Sequence, residues 1–187
     1  MDRPQKVQKF ILTDPPGRLL DVGCNTGSIS EPFVKAGFDV YGIDVSTKYI
    51  ETCRSKNIKA VCGDITQGLP FEDSFFNYVI AGEIIEHLID TDFFLAEIYR
   101  VLSKNGCLVI TTPNILSLEN RLRILVGRYP LFVDYKITDD NHLRVYCSRA
   151  LKKQLIETNF KIENIVGSFV PLFYSVLKKP PASLIPL

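Results

Sequence analysis

From residue 18 to residue 111 short apolar runs alternate with longer segments whose apolar positions recur at helical spacing. The runs 18–22, 39–43, 59–62, 76–81 and 106–111 predict strands, and 28–36, 46–56 and 91–102 predict the helices between them. Strands that are apolar throughout are buried on both faces, so the pattern predicts an α/β domain, doubly wound, with a mostly parallel sheet covered by helices. Ahead of it, Val7, Phe10 and Ile11 give helical spacing over 3–13, and Asp14-Pro15-Pro16-Gly17 stops that helix, so residues 1–16 read as a leading helix. After the fifth strand the rhythm breaks. Residues 113–147 hold a Pro-Asn turn, an amphipathic stretch at 116–126 and a polar loop at Thr138-Asp139-Asp140-Asn141. This segment reads as an insertion over the carboxyl edge of the sheet. Beyond it, Ser148 is expected to cap a helix running to about Thr158, and 160–166 to form a further strand.

The 187 residues, 46% hydrophobic and 23% charged, suffice for one full core, so residues 1–187 are expected to form a single domain. A net charge of +1 offers no extended basic track, and nucleic acid is not expected as the partner. The charge is uneven along the chain: residues 1–114 carry 11 Lys/Arg against 15 Asp/Glu, and residues 115–153 carry 8 against 4. The second stretch either favours an anionic ligand or is an ordinary solvated surface. Five scattered cysteines without a Cys-x-x-Cys pair, and a first ten residues without an apolar export core, lead us to expect a cytoplasmic protein. No run of about twenty apolar residues marks a membrane span.

The glycine-bearing turn Gly23-Cys24-Asn25-Thr26-Gly27 follows the first strand, where backbone approaches a ligand most closely. Asp44 closes the second strand, placed to accept from a ribose diol. Gly63-Asp64 closes the third, placed to accept from an exocyclic adenine amine, with Val45 and Ile65 offering apolar faces to the ring. Asp21 would brace the loop or meet a ligand amino group. With these stand Leu20 to Gly27, Gly42-Ile43-Asp44, Gly63-Asp64-Ile65, Glu83-Ile84-Ile85-Glu86-His87-Leu88 and the segment 100–114. Together they resemble a class I S-adenosylmethionine-dependent methyltransferase of the small-molecule group that includes the ubiquinone-biosynthesis O-methyltransferases, over about residues 17–167. The resemblance implies a Rossmann-like, seven-stranded sheet ending in an antiparallel hairpin, with 169–177 the candidate last strand despite Pro171 and Pro180-Pro181 ending regular structure. It also implies S-adenosylmethionine as cofactor, held by Asp21, Gly23, Cys24, Asn25, Gly27, Asp44, Val45, Asp64, Ile65 and Gly82. Asn25 departs from the family's usual glycine, and asparagine tolerates the left-handed backbone needed there.

A nicotinamide oxidoreductase would share the glycine turn, but its Gly-x-Gly-x-x-Gly spacing is absent, since Asn25 and Ser28 stand where it needs other residues. A catalytically silent cofactor-binding protein is the second alternative. Methyl transfer is an in-line displacement that chiefly requires positioning. A hydroxyl acceptor must in addition lose its proton to a base or under a metal's influence. The chain has two histidines, His87 and His142, and both are candidate catalytic residues on the acceptor side. Glu83, Glu86 and His87 are spaced i, i+3 and i+4, which would place them on one face of a helical turn. With His142 they resemble the Glu-x-x-Glu-His plus distant His set of small-RNA 3′-terminal 2′-O-methyltransferases, so Glu83, Glu86, His87 and His142 are candidate ligands for magnesium, manganese or zinc. That resemblance keeps an RNA 3′ end open as an alternative acceptor. The insertion's Arg121, Arg123, Arg128, Lys136 and Arg144 lie among Leu116, Leu122, Leu125, Leu131 and Phe132. Such a lid would suit a small anionic, aromatic or isoprenoid acceptor and a peripheral membrane contact. Alternatively its leucines pack on the sheet. The sequence leaves the oligomeric state open.

Overall fold

The computed structural model describes residues 3–133, 142–167 and 172–179. Five strands, β1 (Arg18–Val22), β2 (Asp39–Asp44), β3 (Lys59–Cys62), β4 (Phe76–Gly82) and β5 (Leu102–Pro113), run parallel. Two more follow, β6 (Lys161–Gly167) and β7 (Leu172–Lys178), with β7 antiparallel to both β5 and β6. The sheet order is β3-β2-β1-β4-β5-β7-β6. The helices are α1 (Arg3–Ile11), α2 (Glu31–Lys35), α3 (Thr47–Ser55), α4 (Thr91–Val101), α5 (Leu118–Leu125) and α6 (Ser148–Glu157).

Alternate residues of the central strands feed opposite faces, which is why the strand runs are apolar throughout. Leu20, Val79, Ala81, Leu108 and Ile110 pack with Phe94, Leu95, Ile98 and Val101 of α4 and with Leu151 and Leu155 of α6. Leu19, Ile80, Cys107 and Val109 pack on the other face with Ile11 of α1, Phe33 of α2 and Ile50 and Cys53 of α3. The expected doubly wound, mostly parallel arrangement holds over β1–β5.

Three local expectations differ from the structure. The second helix begins at Glu31, because residues 28–30 turn under the glycine loop; Ser30 caps it without a side-chain bond. Cys147 occupies the N-cap of α6, so Ser148 is its first helical residue. The third strand ends at Cys62 as expected, and Asp64 beyond it caps a 3-10 turn over Ile65–Gln67. The fifth strand starts at Leu102, directly out of α4: Leu102 pairs with Phe76 and Cys107 with Tyr78, so extra residues bulge out between them, and Asn105 there has φ +62°. The polar loop 138–141 and Pro180-Pro181 lie outside the described residues, as does Pro171. Between β5 and α6 the chain forms α5, and its two limbs meet where Asn114 pairs with Tyr146 in a parallel bridge. No helix among the described residues is long and apolar enough to cross a membrane.

Candidate functional site

The carboxyl ends of β1, β2 and β4 stop level, since Val22 pairs with Ile43 on one side and Ala81 on the other. There the chain must leave the sheet sharply. Gly23 and Gly27 take φ +70° and +71°, a region that costs an L side chain about 1–2 kcal/mol. A Cβ on Gly27 would in addition stand 2.6 Å from Ile58 Cδ1 and 3.1 Å from Cys53 Sγ. The amides of Gly23 and Cys24 both donate to the Ile43 carbonyl, at 2.9 and 3.1 Å, folding the loop over β2. Asn25 adopts φ +46°, the left-handed region asparagine tolerates.

Asp44 fastens this loop. Its Oδ2 accepts from the Asn25 amide at 2.9 Å and its Oδ1 from the Ser46 amide at 2.9 Å. Asp21 is buried and accepts from the Ser30 hydroxyl, bracing the start of α2. Burial and the neighbouring Asp21 push the Cys24 thiol far above its ordinary range, so it stays a neutral, unreactive thiol. These residues wall a cavity of about 430 Å³. Of the residues expected at the cofactor, Asp21, Gly23, Cys24, Asn25, Asp44 and Gly82 line it, and Ser28, Ile29, Glu83 and Ile84 join them.

Gly27 supports the turn from beneath. Val45 is 69% exposed beside the opening of the strand ends, and Ile65 is buried in the core. Asp64 accepts from both the amide and the hydroxyl of Thr66, at 2.9 and 2.7 Å, and these bonds hold its carboxyl below the usual range. Ser28 and Ile29 are not among the expected cofactor residues, although they directly follow Gly27 and lead into α2.

On the far side of β4 the expected Glu/His set comes together in part. Glu86, His87 and His142 each bring a ligand atom to within 4.8 Å of the others. Glu83 lies outside that trio: it sits at φ +55°, and its Oε1 accepts from the Thr111 hydroxyl at 2.7 Å. The helical turn expected to align Glu83, Glu86 and His87 is a 3-10 turn confined to Ile85–His87, so the i, i+3 relation of Glu83 to Glu86 is lost. The His87 and His142 rings meet edge to face at 4.8 Å, and Phe132 stacks on His142 at 5.0 Å. Burial lowers the pKa of His87, and burial with His87 nearby lowers that of His142 to about 4. Both imidazoles are therefore neutral at pH 7, the form that binds a metal or takes a proton. An apolar cavity of about 310 Å³ adjoins His87, walled by Ile65, Leu88, Phe93, Phe94 and Leu143.

The leucines of the insertion's helix do not pack on the sheet. Leu118, Leu122 and Leu125 of α5 are 73%, 55% and 79% exposed, whereas Asn120 is buried. Asn120 Oδ1 accepts from the Leu131 amide at 2.8 Å, and Arg123 Nε donates to the Tyr129 carbonyl at 2.9 Å.

Residues 20–110 match the methyltransferase domain family. A ubiquinone biosynthesis O-methyltransferase of Pelagibacter ubique is 38% identical over 114 residues, covering 59% of this chain and 47% of that protein. The chain thus spans about half the length of that curated relative. Among solved structures, a SAM-dependent methyltransferase from Methanosarcina mazei superposes with TM-score 0.76 at 17% identity, covering 97% of this chain and all of the other. A cyclase superposes with TM-score 0.73 at 19% identity, covering 95% of this chain and 80% of the other. At such identities the likeness is one of fold, and fold alone does not fix a reaction.

Proposed function

We propose that this chain is a class I S-adenosylmethionine-dependent methyltransferase, a reading supported by the methyltransferase-domain match over residues 20–110 and by its curated relatives, and that it methylates a hydroxyl oxygen of a small acceptor with an apolar, aromatic or isoprenoid body. The residues present fit the cofactor. Gly23 and Gly82 give backbone walls, and Asp44, with two amides already bonded, retains lone pairs for a ribose diol, since a carboxylate offers about four such sites. When bound, S-adenosylmethionine supplies a sulfonium methyl group. The chain's part is to hold the acceptor oxygen in line with it and to relieve that oxygen of its proton.

The observation that carries this reading is the convergence of Glu86, His87 and His142 just beyond the end of β4. Their mixed oxygen and imidazole donors fit magnesium, manganese or zinc, and a divalent ion there would supply Lewis acidity toward an acceptor hydroxyl. Neutral His87 and His142 are in the state required either to hold such an ion or to accept the proton directly. The apolar cavity beside His87 supports an acceptor with a ring or prenyl body, and the exposed leucines of α5 with Arg121 and Arg128 support contact between the insertion and a membrane surface.

Methyl-labelled S-adenosylmethionine incubated with a dihydroxybenzoate, with and without chelator, tests the proposal. Label in the catechol ether, lost on chelation and lost in His142→Ala, is expected. Label appearing only in an added small RNA would favour the 2′-hydroxyl alternative, and cofactor binding without label in either would favour the catalytically silent one.

A further inference from the structure

The ligand trio is assembled from two segments far apart in sequence, the turn that carries Glu86 and His87 and the returning limb of the insertion that carries His142. Neighbouring bonds of that limb lead elsewhere. The His142 amide donates to the Phe132 carbonyl at 3.2 Å, within the insertion, and the Tyr146 carbonyl accepts from Ile115 at 2.8 Å, at the insertion's base. The Tyr146 hydroxyl donates to Gln154 of α6 at 2.9 Å. Arg144 alone, among the described residues of the limb, bonds the turn by hydrogen bonds. Its amide donates to the Glu86 carbonyl at 3.0 Å, its Nε to the Leu88 carbonyl at 3.2 Å, and a terminal guanidinium nitrogen to the Ile89 carbonyl.

This arrangement uses what a guanidinium has and an ammonium lacks. Leu88 ends the 3-10 turn with extended backbone, so its carbonyl and that of Ile89 have left the turn's own bonding pattern and point outward. Two adjacent N–H groups in a rigid plane match two successive carbonyls, and little side-chain freedom is lost per bond. The charged head is exposed to water, so its contribution is directional bonding more than field.

We infer that Arg144 is the positioning residue of the Glu86/His87/His142 site: it clamps the insertion's returning limb onto the 86–89 turn and thereby sets His142 against His87. The inference rests on the proposed function only for the chemistry the trio performs; the clamp itself is a matter of geometry. Groups bonded directly to a metal ligand are worth 10- to 100-fold in affinity, and Arg144 acts one step further back, on the backbone that carries His142.

The chain's two histidines make the test direct. With isotope-labelled histidine the imidazole NMR spectrum holds two sets of signals, and His142→Ala assigns them. In metal-free wild type the His142 signals are displaced by the ring currents of His87 and Phe132. In Arg144→Ala they move to the position of a solvated imidazole, while S-adenosylmethionine affinity by calorimetry stays within twofold. Manganese affinity falls at least tenfold in Arg144→Ala, and adding this change to His142→Ala costs nothing further. Arg144→Lys, which keeps charge and fold but not the planar fork, recovers less than half of the displacement. Unmoved His142 signals in Arg144→Ala, full recovery by Arg144→Lys, or cofactor affinity falling in step with the imidazole shift would each overturn the inference. If wild type binds no divalent ion, the metal reading fails by itself and the imidazole shifts still decide the clamp.

Discussion

The two halves of the site are built in opposite ways. At the cofactor side, between β1, β2 and β4, every feature grows out of the sheet: strand ends level by register, glycines at positive φ, and Asp44 bonded to the loop it holds. At the proposed acceptor side, Glu86 and His87 sit on the turn after β4 and His142 is brought in by an insertion whose helix buries Asn120 and turns Leu118, Leu122 and Leu125 to solvent. The first half is preorganised by the core of the fold. The second depends on a few polar bonds, chiefly those of Arg144 and Asn120, and is the half that lid-like closure would act upon. A hydrogen-exchange experiment should accordingly protect β1 and β4 far more than residues 114–133.

The contrast can be broken from either end, and the largest effect is expected in the cofactor loop. Gly27→Ala should cost about 2–4 kcal/mol, from the left-handed backbone and the contacts with Ile58 and Cys53, and each kcal/mol lowers the melting midpoint of a chain this size by about 2–4 °C. A melting curve unchanged from wild type would mean the loop is not fixed by the core. Next, Asn120→Ala should destabilise by about 1–3 kcal/mol, because it strands the Leu131 amide, and denaturant titration measures it.

Acid should weaken the metal-free protein at the trio. The His142 pKa is depressed in the fold, from 6.5 to about 4, so the unfolded chain binds the proton more readily. Its contribution to stability is complete above pH 6.5, declines as pH falls, and is exhausted below about 4. Comparing the pH dependence of unfolding in His142→Ala isolates this slope, which should be shallower in the variant. The smallest effect is Leu125→Ala, within about 0.5 kcal/mol for an exposed position; a loss of 2–5 kcal/mol would reveal a packed leucine and erase the contrast.

The same contrast explains what could be read in the sequence. β1, β2 and β4 were legible because burial on both faces leaves a largely apolar run, and Asp44 because it ends such a run; β3, an edge strand with Ala60 alone buried, was legible only from its short apolar run. The bulge before Gly106 hid the start of β5, since Ser103 to Asn105 read as a polar loop. The exposed leucines of α5 were ambiguous, because amphipathic spacing marks a two-sided helix without saying which side faces the core. His142 was identified by resemblance and not by local pattern. Its meeting with His87 is a long-range contact that Arg144 secures, and nothing in the spacing of either segment encodes it. Glu83 was expected with the trio because a helical period was assumed where the chain makes a 3-10 turn.

The proposed S-adenosylmethionine site is the cavity walled by Asp21, Gly23 and Asp44. Calorimetric titration of the wild-type chain and of Asp44→Ala with the cofactor and its demethylated product tests it most directly. One site per chain is expected, with affinity weakened in Asp44→Ala by about 1–3 kcal/mol through lost charge-assisted hydrogen bonds. No binding by wild type, or equal affinity in Asp44→Ala, would contradict it.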